Sequence, residues 1–395
     1  MSLPIPPPPP DPEERRAMVR RGCACGCVGC GGLFFLAMMG LVMMASVPNP
    51  VALTVAAIAA VLPVPTYIFL ILLLDRYERE PWTALAAAFL WGALVATFIA
   101  LIFNELVGSV VTASLGEQLG NVLTSSAVAP VVEEAAKGSA VLILYFVLRH
   151  EFDNVLDGIV YGSLVGLGFA MTENILYFGH SYLEDGLVGV GILFYFRVVL
   201  GGLGHALYTG TTGAAIGLAR ELQRGWVRWL IVPLGYMLAV LQHASWNFIA
   251  ATVVPAILPE DTNPLVFLLV VMPFTTFVLT APGLVTLLIV ATLARRREAN
   301  VIREFLRDEV ERGTLTPDEY QRLPVLRQRT SAEYSTLRRR GLLAFFAMRD
   351  LHQAATELAF RKWHLSRGER PKRAQRRTPE DRYRDQIAYL RRRLA

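Results

Sequence analysis

Residues 122–148 read VLTSSAVAPVVEEAAKGSAVLILYFVL. As a helix rising 1.5 Å per residue, this stretch would measure about 40 Å, more than the ~30 Å hydrocarbon core of a bilayer. Its ends are apolar, and its middle holds two adjacent carboxylates and an ammonium: Glu133, Glu134 and Lys137. Glu133 and Lys137 are spaced i,i+4 and Glu134 and Lys137 i,i+3, so one side of a helix presents all three. Pairing Lys137 with one glutamate lowers the cost of burying both charges and leaves the other glutamate for chemistry.

Seven further apolar runs flank this one, at 33–47, 51–74, 83–103, 158–178, 188–219, 227–251 and 265–294. Together they predict an all-α, polytopic transmembrane helical bundle of about eight spans. The first run is short for a bilayer, and those at 188–219 and 265–294 are long enough to be tilted or broken. Composition agrees: 54% of residues are hydrophobic, only 18% are charged, and the mean hydropathy is +0.43. A soluble enzyme, a disordered regulator and a secreted disulfide scaffold all fit such a chain poorly.

The formal charge of +5 averages two unlike parts. From Arg295 to Ala395 there are 26 Lys+Arg against 14 Asp+Glu, whereas the first 294 residues hold 12 against 19. The chain therefore divides into a Pro/Cys-rich N-terminal segment (1–30), a transmembrane core (31–294) and a basic, partly helical tail (295–395). Basic residues precede the first run (Arg15, Arg16, Arg20, Arg21) and follow the second (Arg76, Arg79), fourth (Arg149), sixth (Arg220, Arg224, Arg228) and eighth, while 104–120, 179–187 and 252–264 contain none. With eight spans, the positive-inside rule places both termini in the cytoplasm.

The ends carry weaker signals. Pro4 to Pro10 is almost all proline, a polyproline segment without a core, and the start does not read as a cleavable signal peptide. All four cysteines lie at Cys23, Cys25, Cys27 and Cys30, with no second ligand cluster to complete a zinc site, so reduced juxtamembrane thiols are the simpler reading. In the tail, Thr316-Pro317-Asp318-Glu319 and Thr378-Pro379-Glu380-Asp381 each read as an N-cap followed by proline and acids in a first helical turn. The Arg338–Arg340 and Arg391–Arg393 runs point to anionic lipid rather than nucleic acid, for which no motif is present.

Ionisable groups inside a span are costly and mark function. They gather on four adjacent runs: Glu133, Glu134 and Lys137; then Glu173 and Asn174; then Arg197 and His205; then His243, Trp246 and Asn247. Two imidazoles with carboxylates match a catalytic zinc-type site that keeps a position for water. A spare glutamate could then serve as general base, and an asparagine one turn from a histidine could stabilise an oxyanion. Those are the parts of an amide hydrolase. Singly, each residue also has a structural explanation, such as an interhelical hydrogen bond for His205 or pairing with an acid for Arg197. Gly158, Gly162 and Gly166 recur every four residues and suit close helix packing.

These residues resemble a known family. Glu133-Glu134-Ala-Ala-Lys137 looks like the EExxK motif of PrsW-type intramembrane metalloproteases. Asp157 to Gly162, Gly168-Phe169-Ala170 and Glu173-Asn174 look like that family's next segment. His205 and His243-Ala-Ser-Trp246-Asn247 match its remaining positions, and Asp75 to Pro81 resembles the opening of its core. The resemblance spans roughly 63–293. More distantly, the pattern is similar to prenyl-CaaX-processing and bacteriocin-immunity membrane proteases, with Phe169-xxx-Glu173 where those carry Phe-xxx-His. It implies a bacterial plasma-membrane protease that cuts membrane-anchored regulators such as anti-sigma factors. In that reading Glu133 is the general base, Glu134 and Lys137 support it, and Asn247 supports the oxyanion. Glu173, His205 and His243 hold a divalent metal, expected to be zinc. Two competing readings are a proton-coupled transporter, since buried Glu and His also build proton relays, and a non-catalytic scaffold whose tail recruits a partner.

Overall fold

The computed structural model describes residues 30–77, 80–148, 152–222, 225–259, 261–368 and 378–394; among them there is no β-strand. The polyproline run and Cys23, Cys25 and Cys27 lie outside the described residues, while Cys30 is exposed.

Among the described residues, eight longer helices and a few short ones build the apolar part. Helix α1 (Cys30–Ser46) leads to Asn49, whose side chain accepts from the Val51 and Ala52 amides and starts α2 (Pro50–Leu72) with proline at N1. Helix α3 (Trp82–Leu115) ends at Gly116, whose φ of +83° turns the chain back. A short helix and a π-turn (Thr124–Val128) then lead into α4 (Ala129–Val147). An Asn154/Asp157 capping box opens α5 (Val155–Phe194), which folds back on itself at Gly186 (φ +63°). The returning chain passes a π-turn (Tyr195–Leu200) and a break at 201–203 before α6 (Gly204–Glu221). Helix α7 (Val227–Phe248) ends in another π-turn, and α8 is Met272–Phe305.

Five stretches are long and apolar enough to cross a bilayer: Pro50–Leu72, Trp82–Leu115, Val155–Glu221, Val227–Phe248 and Pro264–Glu311. The expected count of eight is not reached by length and apolarity alone, for three reasons. Cys30–Ser46 is short. Helix α4 carries three ionisable groups. The runs expected at 158–178 and 188–219 form one helical path that doubles back at Gly186.

Helix α5 sits at the centre, buried on all sides over its first four turns. Its glycines set the geometry of the site. A Cβ on Gly158 would fall 2.0 Å from the Gly213 carbonyl oxygen, and one on Gly166 2.1 Å from that of His205. The α5 and α6 backbones therefore touch, which fixes the height of His205 against Phe169 and Glu173.

The tail folds as helices α9 (Arg307–Glu311), α10 (Pro317–Arg322), α11 (Leu326–Arg340), α12 (Leu342–Ser366) and α13 (Pro379–Leu394). The Thr316 and Thr378 side chains cap α10 and α13 as the sequence suggests. Leu306, Leu315, Leu323, Leu358, Ala359 and Ile387 form a core with Tyr77 from the α2–α3 connection, whose hydroxyl donates to the Pro324 carbonyl at 2.7 Å. Several basic residues are held inside this fold: Arg384 and Lys362 pair with buried Glu309, Arg391 pairs with Glu319, and buried Arg329 donates to Thr356.

Candidate active site

Helices α4, α5, α6 and α7 bring six of the seven expected residues to one buried point. Lys137 is fully buried, with its Nζ 2.6 Å from Glu134 Oε1 and 3.7 Å from Glu133 Oε2. It also lies 3.1 Å from His205 Nδ1 and 4.2 Å from the centroid of the Phe169 ring. The i,i+3 and i,i+4 spacings thus do what helix geometry requires, and the closer partner is Glu134.

Glu134 is saturated. Besides Lys137, it faces His243 Nδ1 at 3.1 Å and accepts from the Thr209 hydroxyl at 3.0 Å. A carboxylate on Nδ1 fixes the imidazole tautomer and leaves Nε2 with its lone pair. That Nε2 points toward Glu133 Oε2 at 3.9 Å, too far for a hydrogen bond. Tyr208 stacks on the same ring at 5.0 Å, and the His205 ring stands edge-on to it at 5.0 Å.

Glu133 differs from its neighbour. Its Oε1 accepts from Asn104 Nδ2 at 3.3 Å, but its Oε2 is buried with no hydrogen-bond partner. Glu173 is ion-paired with Arg197 and lies 3.0 Å from His205 Nε2. Arg197 in turn donates to Asn174 Oδ1 at 2.6 Å and lies over the Tyr177 ring. Asn247, one turn beyond His243, donates to the Ser125 carbonyl at 2.9 Å, so its amide is engaged away from the imidazoles.

Donor atoms of Glu133, His205 and His243 all lie within 4.8 Å of one another. The residues fit a divalent ion: two imidazoles converge, one is set by a carboxylate behind it, and a carboxylate oxygen of Glu133 lies within reach of both. Glu173 reaches this group only through His205.

Three residues at the site escaped the sequence reading. The sequence ends the third apolar run at Phe103 and places Asn104 in the loop that follows. The apolar positions Leu106, Val107 and Val110 continue that run, and α3 runs on to Leu115. Thr209 and Tyr208 are common in glycine-rich membrane helices, and no spacing singles them out. The π-turns at Thr124–Val128 and Tyr195–Leu200 lie just before α4 and around Arg197, where an extra residue re-aims the side chains that follow.

A family model described as PrsW family intramembrane metalloprotease matches residues 80–279, just over half of the chain, and includes all seven site residues. Protease PrsW of Clostridioides difficile (strain 630) is 30% identical over 190 residues, covering 48% of this chain and 76% of that protein. Protease PrsW of Bacillus subtilis (strain 168) is 31% identical over 177 residues, covering 44% and 73%. No solved structure matches. With its apolar helices and buried carboxylate–imidazole centre, the chain belongs to the PrsW family of intramembrane metalloproteases and is a multi-pass membrane protease.

Proposed function

We propose that the protein hydrolyses a peptide bond in membrane-anchored regulatory proteins of the anti-sigma-factor kind, with Glu133 as the general base. One observation carries the assignment of the base: of the three glutamates at this site, Glu133 alone keeps a buried carboxylate oxygen without a hydrogen-bond partner, and that oxygen lies 3.9 Å from His243 Nε2. Its Oε2 takes the proton of the attacking water and later delivers it to the leaving amine. Glu134 orients His243 and neutralises Lys137. Asn247, one turn from His243, turns from Ser125 to the oxyanion during the reaction.

His205 and His243 would hold a divalent ion, with Glu173 against His205 as the carboxylate donor and Arg197 setting Glu173; we assign zinc, for which two histidines and a carboxylate are an established set. Held there, such an ion would supply Lewis acidity, making its water easier to deprotonate and the scissile carbonyl more electrophilic. The positive-inside distribution supports cytoplasmic termini, and the exposed Arg338–Arg340 run supports contact of the tail with anionic lipid.

The test is cleavage of a membrane-anchored peptide by the purified protein in lipid. Glu133→Gln and His243→Ala abolish cleavage if the assignment is right. Wild-type rates in both would refute it. Retained cleavage after exhaustive chelation, with Glu133→Gln still inactive, would remove the metal and keep the glutamate.

A further inference from the structure

Hydrolysis inside a bilayer needs a supply of water, and the seam between α3 and residues 124–133 has the polar atoms for one. Thr124 Oγ1, Asn104 Oδ1 and Glu133 Oε2 are all buried and none has a hydrogen-bond partner; the Ser126 hydroxyl on the same π-turn is a fourth such group. Thr124 is set against Gly108, where a Cβ would fall 2.8 Å from the threonine methyl. Asn104 lies four residues from Gly108, about 6 Å along α3, and it donates directly to Glu133. The orphaned oxygens therefore follow one another along a single seam and end at the proposed base.

Each buried oxygen left unpaired loses its hydration without regaining a hydrogen bond, which is destabilising. Buried polar groups of this kind are ordinarily satisfied by ordered water that makes two to four hydrogen bonds. We propose that this seam carries water from the Gly116 end of the bundle to Glu133, and that Asn104 is a catalytic residue holding the water that attacks. The inference rests on the hydrolytic reading of Glu133. The water donates one hydrogen to Asn104 Oδ1 and the other to Glu133 Oε2, while Asn104 Nδ2 keeps the Glu133 carboxylate turned. With both hydrogens committed, an oxygen lone pair is directed at the substrate carbonyl. The O–C bond forms as Glu133 takes one proton, and that proton leaves with the amine when the C–N bond breaks.

The test combines kinetics with accessibility. In the peptide assay, Asn104→Leu lowers kcat about 100-fold with KM within twofold and an unchanged melting temperature. Thr124→Val lowers kcat at least tenfold, while Thr124→Ser restores it. In a full-length chain whose four cysteines are replaced by serine, Thr124→Cys reacts with a water-soluble methanethiosulfonate at least tenfold faster than Phe103→Cys, an exposed position on the apolar face of α3. Equal labelling rates, or an Asn104→Leu kcat within threefold of wild type, would overturn the proposal. Activity in Glu133→Gln would instead remove the hydrolytic reading, and the labelling result would stand independently of it.

Discussion

The two adjacent glutamates should respond oppositely to the same isosteric change. Glu134→Gln removes the charge that lies 2.6 Å from the fully buried Lys137 and replaces one acceptor oxygen with a donor amide. The Lys137 ammonium, the His243 Nδ1–H and the Thr209 hydroxyl all need acceptors there, and a glutamine offers one oxygen where the carboxylate offered two. The counter-charge left for Lys137 is Glu133, 3.7 Å away. Breaking one partner of a buried pair costs about 3–5 kcal/mol. Glu133→Gln keeps the Asn104 bond through Oε1 and alters an oxygen that bonds to nothing, so its structural cost stays below ~1 kcal/mol while catalysis is lost. The assay is SDS-induced unfolding followed by far-UV circular dichroism, run beside peptide cleavage. Adding Lys137→Met to Glu134→Gln should return at least ~2 kcal/mol, because removing both charges is far cheaper than stranding one. Equal stability of the two glutamine variants, or strict additivity in the double variant, would refute the pairing argument.

Four further outcomes follow from the geometry. Zinc per chain, measured by inductively coupled plasma mass spectrometry, falls in His205→Ala, His243→Ala and Glu173→Gln but not in Glu133→Gln; zinc loss in Glu133→Gln would make Glu133 a ligand instead of Glu173. Asn247→Ala lowers kcat about 10²–10³-fold if its amide reaches the oxyanion, and a loss under threefold would confine it to its tie with Ser125. Gly158→Ala forces a methyl to 2.0 Å from the Gly213 carbonyl oxygen, so the α5–α6 seam opens at a cost of about 1–3 kcal/mol and cleavage falls with it; an unchanged melting temperature would contradict the close packing. Burial holds His352 below the usual histidine pKa of 6.5, although Glu333 beside it at 2.8 Å opposes the shift. The unfolded chain then binds the extra proton first, so tail stability is full above about pH 6.5 and declines as pH drops below it; thermal melts of His352→Asn should show a flatter slope over pH 5–7.

Helix content and the four-helix origin of the site were legible because both follow from local pattern. Apolar runs near 20 residues mean helices in lipid, and charges inside them are too costly to be incidental. What lay beyond the pattern depended on tertiary contact. Asn104 and Glu105 look like the end of a span, and only the packing of α3 on the 124–147 segment shows that the helix continues and that Asn104 meets Glu133. Asn247 has the right spacing from His243, yet its amide is taken by a carbonyl on the π-turn before α4, a partner 122 residues away. The tail reads as basic and partly helical from its charge count and its N-cap signals. Buried Glu309 and the Leu/Ala core further draw several of its arginines into a fold, which no running charge sum could reveal.

The charge arrangement supports the proposed role of Glu133 independently of any resemblance. Three carboxylates and two cations gather at the site, of which Glu133, Glu134 and Lys137 are buried. Lys137 lies 2.6 Å from Glu134 but 3.7 Å from Glu133, and Arg197 pairs with Glu173. In low dielectric the closer contact dominates, so two pairs form and one carboxyl group is left over. That group is Glu133, whose unsatisfied oxygen lies 3.9 Å from His243 Nε2. A fold selected only for stability would have removed it, since an uncompensated buried carboxylate is among the costliest groups a bundle can keep. Its retention beside Asn104 and between His205 and His243 makes sense if a water or a cation completes it during turnover. Replacing Glu133 with leucine should therefore stabilise the bundle while abolishing cleavage, and a destabilised Glu133→Leu variant would show that Glu133 is held by the fold rather than kept for the reaction.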